Sequence, residues 1–143
     1  MKIFLATAFS SKVDETGKVL LEFRKPVEQL LELLRKNNQV FCAAEYEGWQ
    51  YFNAAPEVGA KLDLEEVAKA DVLLALLTEK VSAGVQIEIG YALGQGKQVI
   101  IATMPGVKLS YFTQGVANLG LAKHVVYQDS ADLAKQFQTK HDL

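Results

Sequence analysis

The stretch Ser82-Ala83-Gly84-Val85-Gln86-Ile87-Glu88-Ile89-Gly90-Tyr91-Ala92-Leu93 decides how the chain is to be read. An apolar run from Asp71 to Leu77 precedes it and a second, Gln98 to Thr103, follows it; both read as strands buried on two faces. Two such strands joined by a loop and a helical segment form a βαβ unit. In an open α/β sheet ligands bind beyond the carboxyl ends of the strands, where this loop falls. Glu88 stands in the first turn of the expected helix among small and apolar neighbours, and the positive end of the helix dipole favours its ionised form. A charged carboxylate beside a glycine-opened loop is a candidate nucleophile.

The 143 residues fit one domain, 1–143, long enough to bury a core. A net charge of -2 gives no electrostatic footprint for a nucleic-acid backbone, so a nucleic-acid polymer is not the expected partner. The opening run Met1 to Ala6 is too short for a signal peptide and leads into polar Ser10-Ser11-Lys12. No stretch reaches membrane-spanning length, and a single cysteine, Cys42, suits a reducing cytoplasm. Cys42 lies in the apolar run Val40 to Ala44 and reads as a buried structural thiol. His124 and His141 have no Cys or His at ligand spacing, and no phosphate-cradling glycine motif is present, so neither a metal nor a cofactor is expected.

Ile3 to Phe9 reads as the first strand, ending in a polar loop, Ser10 to Lys18, of the kind on which a phosphate or sugar rests; Thr7 and Phe9 are candidate substrate contacts there. Val19 to Lys36 has helical spacing interrupted by Pro26, and Gln39 to Ala44 reads as the second strand. Glu45 to Phe52 is rich in aromatic residues and carboxylates, a base pocket with Glu45 and Trp49 as candidates, or else a lid or an oligomer contact. Pro56 to Ala70 is helical, with Val58, Leu62, Leu64, Val67 and Ala68 as candidates for its buried side; Asp63 on it reads, from the residues alone, as an ordinary solvated carboxylate. Gly90 and Gly94 suit close packing of the central helix on the sheet or on a partner helix. Met104-Pro105-Gly106 is a turn, Leu109 to Leu119 a short helix or loop, Val125 to Tyr127 a fifth strand, and Ser130 to Lys140 a final helix capped by Asp129 or Ser130. The expected fold is α/β, a three-layer sandwich with a five-stranded parallel sheet in the flavodoxin-like order 2-1-3-4-5.

The pattern Ser82-x-Gly84-Val85-x-x-Glu88-Ile89-Gly90-x-Ala92, with Lys97 and the following strand, resembles the signature of the nucleoside 2-deoxyribosyltransferase family and its relatives, the 2'-deoxynucleoside 5'-phosphate N-hydrolases. The resemblance runs from Lys2 to about Asn118. It implies that Glu88 attacks the anomeric carbon of the sugar and that Asp63 hydrogen-bonds the base and manages its proton. A serine at Ser82, where the transferases have aspartate, and Ser110 in Leu109-Ser110-x-Phe112-x-x-Gly115-x-Ala117 are similar to the hydrolases. Ser82, Gly84 and Ser110 are thereby candidate phosphate or sugar contacts. The matching serine reaches a neighbouring subunit's site, which implies a homodimer or larger homo-oligomer. Phe4 departs from the family, which has there a tyrosine whose hydroxyl contacts the catalytic glutamate.

Splitting an N-glycosidic bond requires a carboxylate near the anomeric carbon and a proton or hydrogen bond for the departing base. Glu88 and Asp63 fill these roles for 2'-deoxynucleosides or their 5'-monophosphates, by hydrolysis or by transfer of deoxyribose to another base. Hydrolysis of a monophosphate is favoured, because hydroxyls bond a phosphate that a second carboxylate would repel. The alternative is a catalytically weak nucleotide-binding or regulatory module of the same fold. Hydrolysis of a ribose nucleotide is a third possibility, because the sequence names no clear reader of the 2'-position.

Overall fold

The computed structural model describes residues 1–51 and 54–140. Five strands, β1 (Lys2–Thr7), β2 (Gln39–Cys42), β3 (Val72–Leu77), β4 (Gln98–Thr103) and β5 (Lys123–Val126), form an all-parallel sheet in the order β2-β1-β3-β4-β5. Between and after them come the helices α1 (Leu21–Leu34), α2 (Ala43–Tyr46), α3 (Pro56–Lys69), α4 (Ala83–Gly94), α5 (Tyr111–Asn118) and α6 (Ser130–Lys140). The expected fold and strand order are those found.

Strand alternation sorts the apolar side chains into two cores. Ile3, Leu5, Leu74 and Ile100 point to one face, under Leu30, Leu31 and Leu34 of α1 and Leu133 and Phe137 of α6. Phe4, Leu73, Ala75 and Ile101 point to the other, under Val67 of α3 and Val85, Ile89 and Ala92 of α4. Both faces of the sheet are therefore covered, as near-continuous hydrophobic strands require. Pro26 sits inside α1, and Ser130 Oγ donates to its carbonyl at 2.7 Å, tying α1 to α6. The α6 cap is Asp129, whose Oδ1 accepts from Asp132 N at 2.8 Å.

Several boundaries differ from the sequence expectation. The second strand stops at Cys42 because Ala43 to Tyr46 coil into a helical turn. Helix α4 begins at Ala83, which moves Glu88 from the first turn into the second. Val58, expected to be buried on α3, is 56% exposed. A Cβ at Gly90 or Gly94 would meet nothing within 4 Å, so close packing within the chain does not explain these glycines.

The segment after β1 is knitted rather than open. Asp14 Oδ1 accepts from Thr16 N, Thr16 Oγ1 and Lys18 N, closing a turn on Gly17, whose φ of +84° and contact with Gln50 and Tyr51 leave no room for a side chain. Val19 N bonds Trp49 O and Tyr51 N bonds Gly17 O, so this loop pairs with residues 49–51. Cys42 is buried, and burial pushes its thiol up to about 11, which keeps it protonated and unreactive. His124 Nε2 lies 2.8 Å from Thr103 Oγ1 between adjacent strands. Among the described residues no group of His, Cys, Asp and Glu is arranged to hold a metal, and His141 lies outside them. No helix among the described residues is long and apolar enough to cross a membrane.

Candidate active site

Strand order reverses between β1 and β3, and a cavity of about 360 Å³ opens at the carboxyl ends of these two strands. Thr7 reaches it from the end of β1, Ser82 and Gly84 from the start of α4, Asp63 from α3 and Glu88 from the second turn of α4. Five of the predicted residues, with Phe9, thus converge on one wall system although up to 81 positions separate them in the chain.

Ser82 caps α4: its Oγ accepts from Val85 N at 3.3 Å. The next N–H groups of the first turn, those of Ala83 and Gly84, have no carbonyl within the helix to bond. A Cβ at Gly84 would come no nearer than 3.9 Å to its closest neighbour, Ser82 Oγ. Glycine here is not forced by the protein's own packing; it leaves this end of the cavity bare for a ligand.

The electrostatics of the carboxyl groups run against the sequence expectation of an ionised Glu88. Burial pushes Glu88 up to about 8, and the negative charge of Asp63 adds to the shift. Burial also pushes Asp63 up to about 6, with the charge of Glu47 adding to it. The second turn of a helix gives little of the dipole's benefit, which is confined to the ends. Glu88 Oε2 is fully enclosed and has no hydrogen-bond partner among the described residues, and an unsolvated carboxylate without a donor favours its protonated form. Between about 6 and about 8 the pair holds one proton.

The aromatic wall is built from different residues than expected. Phe9 and Tyr51 line the cavity and meet edge to face with ring centroids 5.6 Å apart. Trp49, the candidate for that role, is 7% exposed and belongs to the core on the α1 side, with the Arg24 guanidinium 5.2 Å from its ring centroid. Gly48 and Trp49 both have positive φ, +70° and +61°. This double left-handed turn drives the indole inward and delivers Gln50 and Tyr51 to the cavity. Glu45 is likewise turned away: Arg35 Nη1 and Nη2 donate to its two carboxylate oxygens at 2.8 and 2.6 Å. It is Glu47, two residues on, that reaches the cavity, with Gln50 and Tyr51. The density of acids and rings after β2 marked the region, but only the turn decides which of them face inward. Phe52 lies outside the described residues.

Ser110 is not on this wall within one chain. It caps α5, accepting from Thr113 N at 3.4 Å and donating to Thr113 Oγ1, which in turn donates to Gln86 Oε1 of α4 at 2.9 Å. The neighbouring Tyr111 and Phe112 are 97% and 80% exposed. Phe4, far from presenting a polar group, is 1% exposed and stacked on Phe41.

A scan against protein-family models finds no match, and a search of curated proteins finds no significant one. Solved structures do match. BlsM is 28% identical, with a TM-score of 0.82 over 96% of this chain and 87% of that one. A CMP N-glycosidase, BcmB, from Clostridium botulinum is 21% identical, with a TM-score of 0.72 over 97% and 98% of the two chains. A 2-deoxyribosyltransferase from Bacillus psychrosaccharolyticus is 22% identical, with a TM-score of 0.64 over 94% and 90%. With its β2-β1-β3-β4-β5 sheet and its cavity at the β1/β3 switch point, the chain shares the fold of these three structures.

Proposed function

We propose that this protein splits the N-glycosidic bond of nucleosides or their 5'-monophosphates through Glu88, with Asp63 on the base side. The observation that carries the reading is the pair itself: two carboxyl groups, from α3 and α4, on one cavity wall and holding one proton near neutral pH. Two titratable groups whose surroundings push their affinities for protons apart are the usual basis of acid and nucleophile roles. Matching structures of a CMP N-glycosidase and a 2-deoxyribosyltransferase support the same class of chemistry.

In this mechanism the substrate's base lies against Phe9 and Tyr51 with the anomeric carbon toward Glu88. Near neutral pH the pair's single proton rests on Glu88, so on substrate binding it first moves to Asp63, from which it passes to the departing base as the C1'–N bond breaks. Both carboxyls are then ionised, and the Glu88 oxygen closes onto the electron-poor C1' to give a glycosyl ester. Water attacks C1' in the second half, its hydroxyl staying on the sugar and its proton returning to the pair, while Glu88 leaves. A second base in place of water gives transfer.

Hydrolysis of a monophosphate remains the favoured form. The bare α4 N-terminus at Ala83 and Gly84, with the Ser82 hydroxyl beside it, suits a phosphate. Lys12, paired at 3.3 Å with Glu79 of the segment between β3 and α4, would answer the phosphate's charge by leaving that exposed partner. The protein acts as a homodimer or larger assembly: Ile87 and Tyr91 of α4 and Tyr111 and Phe112 of α5 form an exposed apolar face, and a second copy packed there brings Ser110 toward the neighbour's cavity. Activity per molecule then falls on dilution.

The test is base release, followed by chromatography, from deoxy- and ribonucleoside 5'-monophosphates and free nucleosides, with and without an acceptor base. Release without acceptor, abolished in Glu88→Ala, supports the hydrolase. A new nucleoside formed only with acceptor makes it a transferase. Substrates that bind and stay intact make it a binding module.

A further inference from the structure

The two rings of the aromatic wall hang from one excursion of the chain. Phe9 opens the segment that leaves β1, where Lys12 N donates to its carbonyl at 2.9 Å and Ser11 Oγ to that of Ala8 at 3.1 Å. The segment then doubles back: Asp14 N donates to Lys18 O and Leu20 N to Lys12 O, each at 2.8 Å, and Val13 is bridged to Val19. Lys18 is bridged in turn to Gln50, and Tyr51 N donates to Gly17 O at 2.7 Å, so residues 49–51 form the third run of a small antiparallel ladder. Gln50 Nε2 adds a bond to Thr16 O at 2.8 Å. Phe9, Gln50 and Tyr51 line the cavity; Asp14, Thr16 and Gly17 do not.

A ladder this short draws little stability from its own pairing. Its turn is what closes it. Asp14 Oδ1 accepts from Thr16 N at 2.8 Å, Thr16 Oγ1 at 2.6 Å and Lys18 N at 3.1 Å, and Gly17 passes under the wall at a φ of +84°. A Cβ at Gly17 would stand 2.9 Å from Gln50 Nε2 and 3.1 Å from Tyr51 O. The second of these is backbone, which yields only if the wall itself moves.

Resting on the reading of the site just given, we propose that Asp14 and Gly17 are positioning residues for substrate recognition: the turn they form holds Tyr51 edge to face with Phe9, and so sets the slot into which the flat base slides. Neither touches the substrate. Their effect reaches it through the bonds that Thr16 O and Gly17 O accept from Gln50 and Tyr51. A loosened wall weakens ground state and transition state alike, because the base stays stacked while Glu88 attacks the sugar.

The experiment takes two readings on Asp14→Ala, Gly17→Ala and Asp14→Asn, the last of which keeps the acceptor oxygen. The first needs no substrate: the proton NMR cross-peak between the rings of Phe9 and Tyr51 is lost in Asp14→Ala and Gly17→Ala and survives in Asp14→Asn. The second is base release from the nucleoside 5'-monophosphate that wild type cleaves fastest. There KM rises about tenfold in the two disruptive variants while kcat stays within about twofold of wild type, and Asp14→Asn restores KM. A merely structural role would lower kcat through lost folded enzyme and leave KM alone, and that result overturns the proposal. So does a cross-peak that stays intact in either disruptive variant, or an Asp14→Asn as impaired as Asp14→Ala. If wild type splits no bond, the glycosidase reading falls by itself, and calorimetric binding of the same nucleotides takes the place of KM. Affinity lost in Asp14→Ala and regained in Asp14→Asn then sustains the positioning role; equal affinity, or no binding to wild type, removes it.

Discussion

The carboxyls of Asp63 and Glu88 enter one cavity from two helices, and the charge of Asp63 adds to the burial that holds Glu88 up at about 8. Each is costly to ionise where it stands, and the site as folded resists having both charged. A glycosidase needs one proton on such a pair: none leaves the base without an acid, and two leave the sugar without a nucleophile.

The pH dependence follows. If kcat/KM tracks the singly protonated pair, it rises as pH passes about 6 and falls again past about 8. Glu88→Gln lowers the rate by about a hundredfold or more, the usual scale for a lost catalytic group. Initial rates of base release from pH 4.5 to 9.5 read both limbs; a profile flat across neutrality contradicts the singly protonated pair.

Stability carries the same signature with a definite sign. Both folded-state values are raised, so the contribution of these groups is complete below their ordinary values of 3.8 and 4.5 and is lost as pH rises through about 6 and about 8. Urea unfolding of wild type therefore weakens between pH 5 and 9 more than that of Glu88→Gln. At pH 9 the variant is the more stable by roughly 1–3 kcal/mol, a scale set by about 1.4 kcal/mol per pKa unit and discounted for partial exposure.

Glu45 separates the fold from the site. Its bidentate pair with Arg35, which also bonds Val40 O at 2.9 Å, fastens α2 to the end of α1. The pair is more than a third exposed, so Glu45→Ala costs only about 0.5–1 kcal/mol. Its KM stays within twofold of wild type. A tenfold rise in KM without loss of stability would return Glu45 to the base pocket.

Phe4→Tyr tests the unpartnered oxygen. Phe4 shares its core with Val85 and Ile89, which flank Glu88 on α4. A phenol that reaches Glu88 Oε2 supplies the missing donor and favours the ionised form. The upper limb of the pH profile then moves down by about one unit. If the limb stays and the protein loses about 1–3 kcal/mol, the hydroxyl is buried without a partner.

How much of this was legible in the sequence can be traced residue by residue. The two-faced strands Val72–Leu77 and Gln98–Thr103 and the amphipathic α1 and α6 announce the sheet and its layers, because their periodicity is local. Glu88, Asp63, Ser82, Gly84, Thr7 and Phe9, chosen from the sequence, all line the cavity. Glu45 and Trp49 were chosen over Glu47 and Tyr51 because the choice rests on the positive φ of Gly48 and Trp49, a turn that composition does not reveal in a tryptophan. The protonation of Glu88 was read with the wrong sign. Its helix starts at Ala83, which puts Glu88 in the second turn and not the first, and its burial near Asp63 is a tertiary fact. Ser110 was placed at the site through a neighbour, and within one chain it caps α5.

The most direct measurement is a carbon-13 NMR titration of the side-chain carboxyls of Asp63 and Glu88 in the free protein, repeated in Asp63→Asn. The account predicts that Glu88 titrates near 8 and Asp63 near 6 in wild type, and that Glu88 moves down once the charge of Asp63 is gone. Two carboxyls titrating near 4, or a Glu88 indifferent to Asp63→Asn, would contradict the raised and coupled carboxyls on which the proposed chemistry depends.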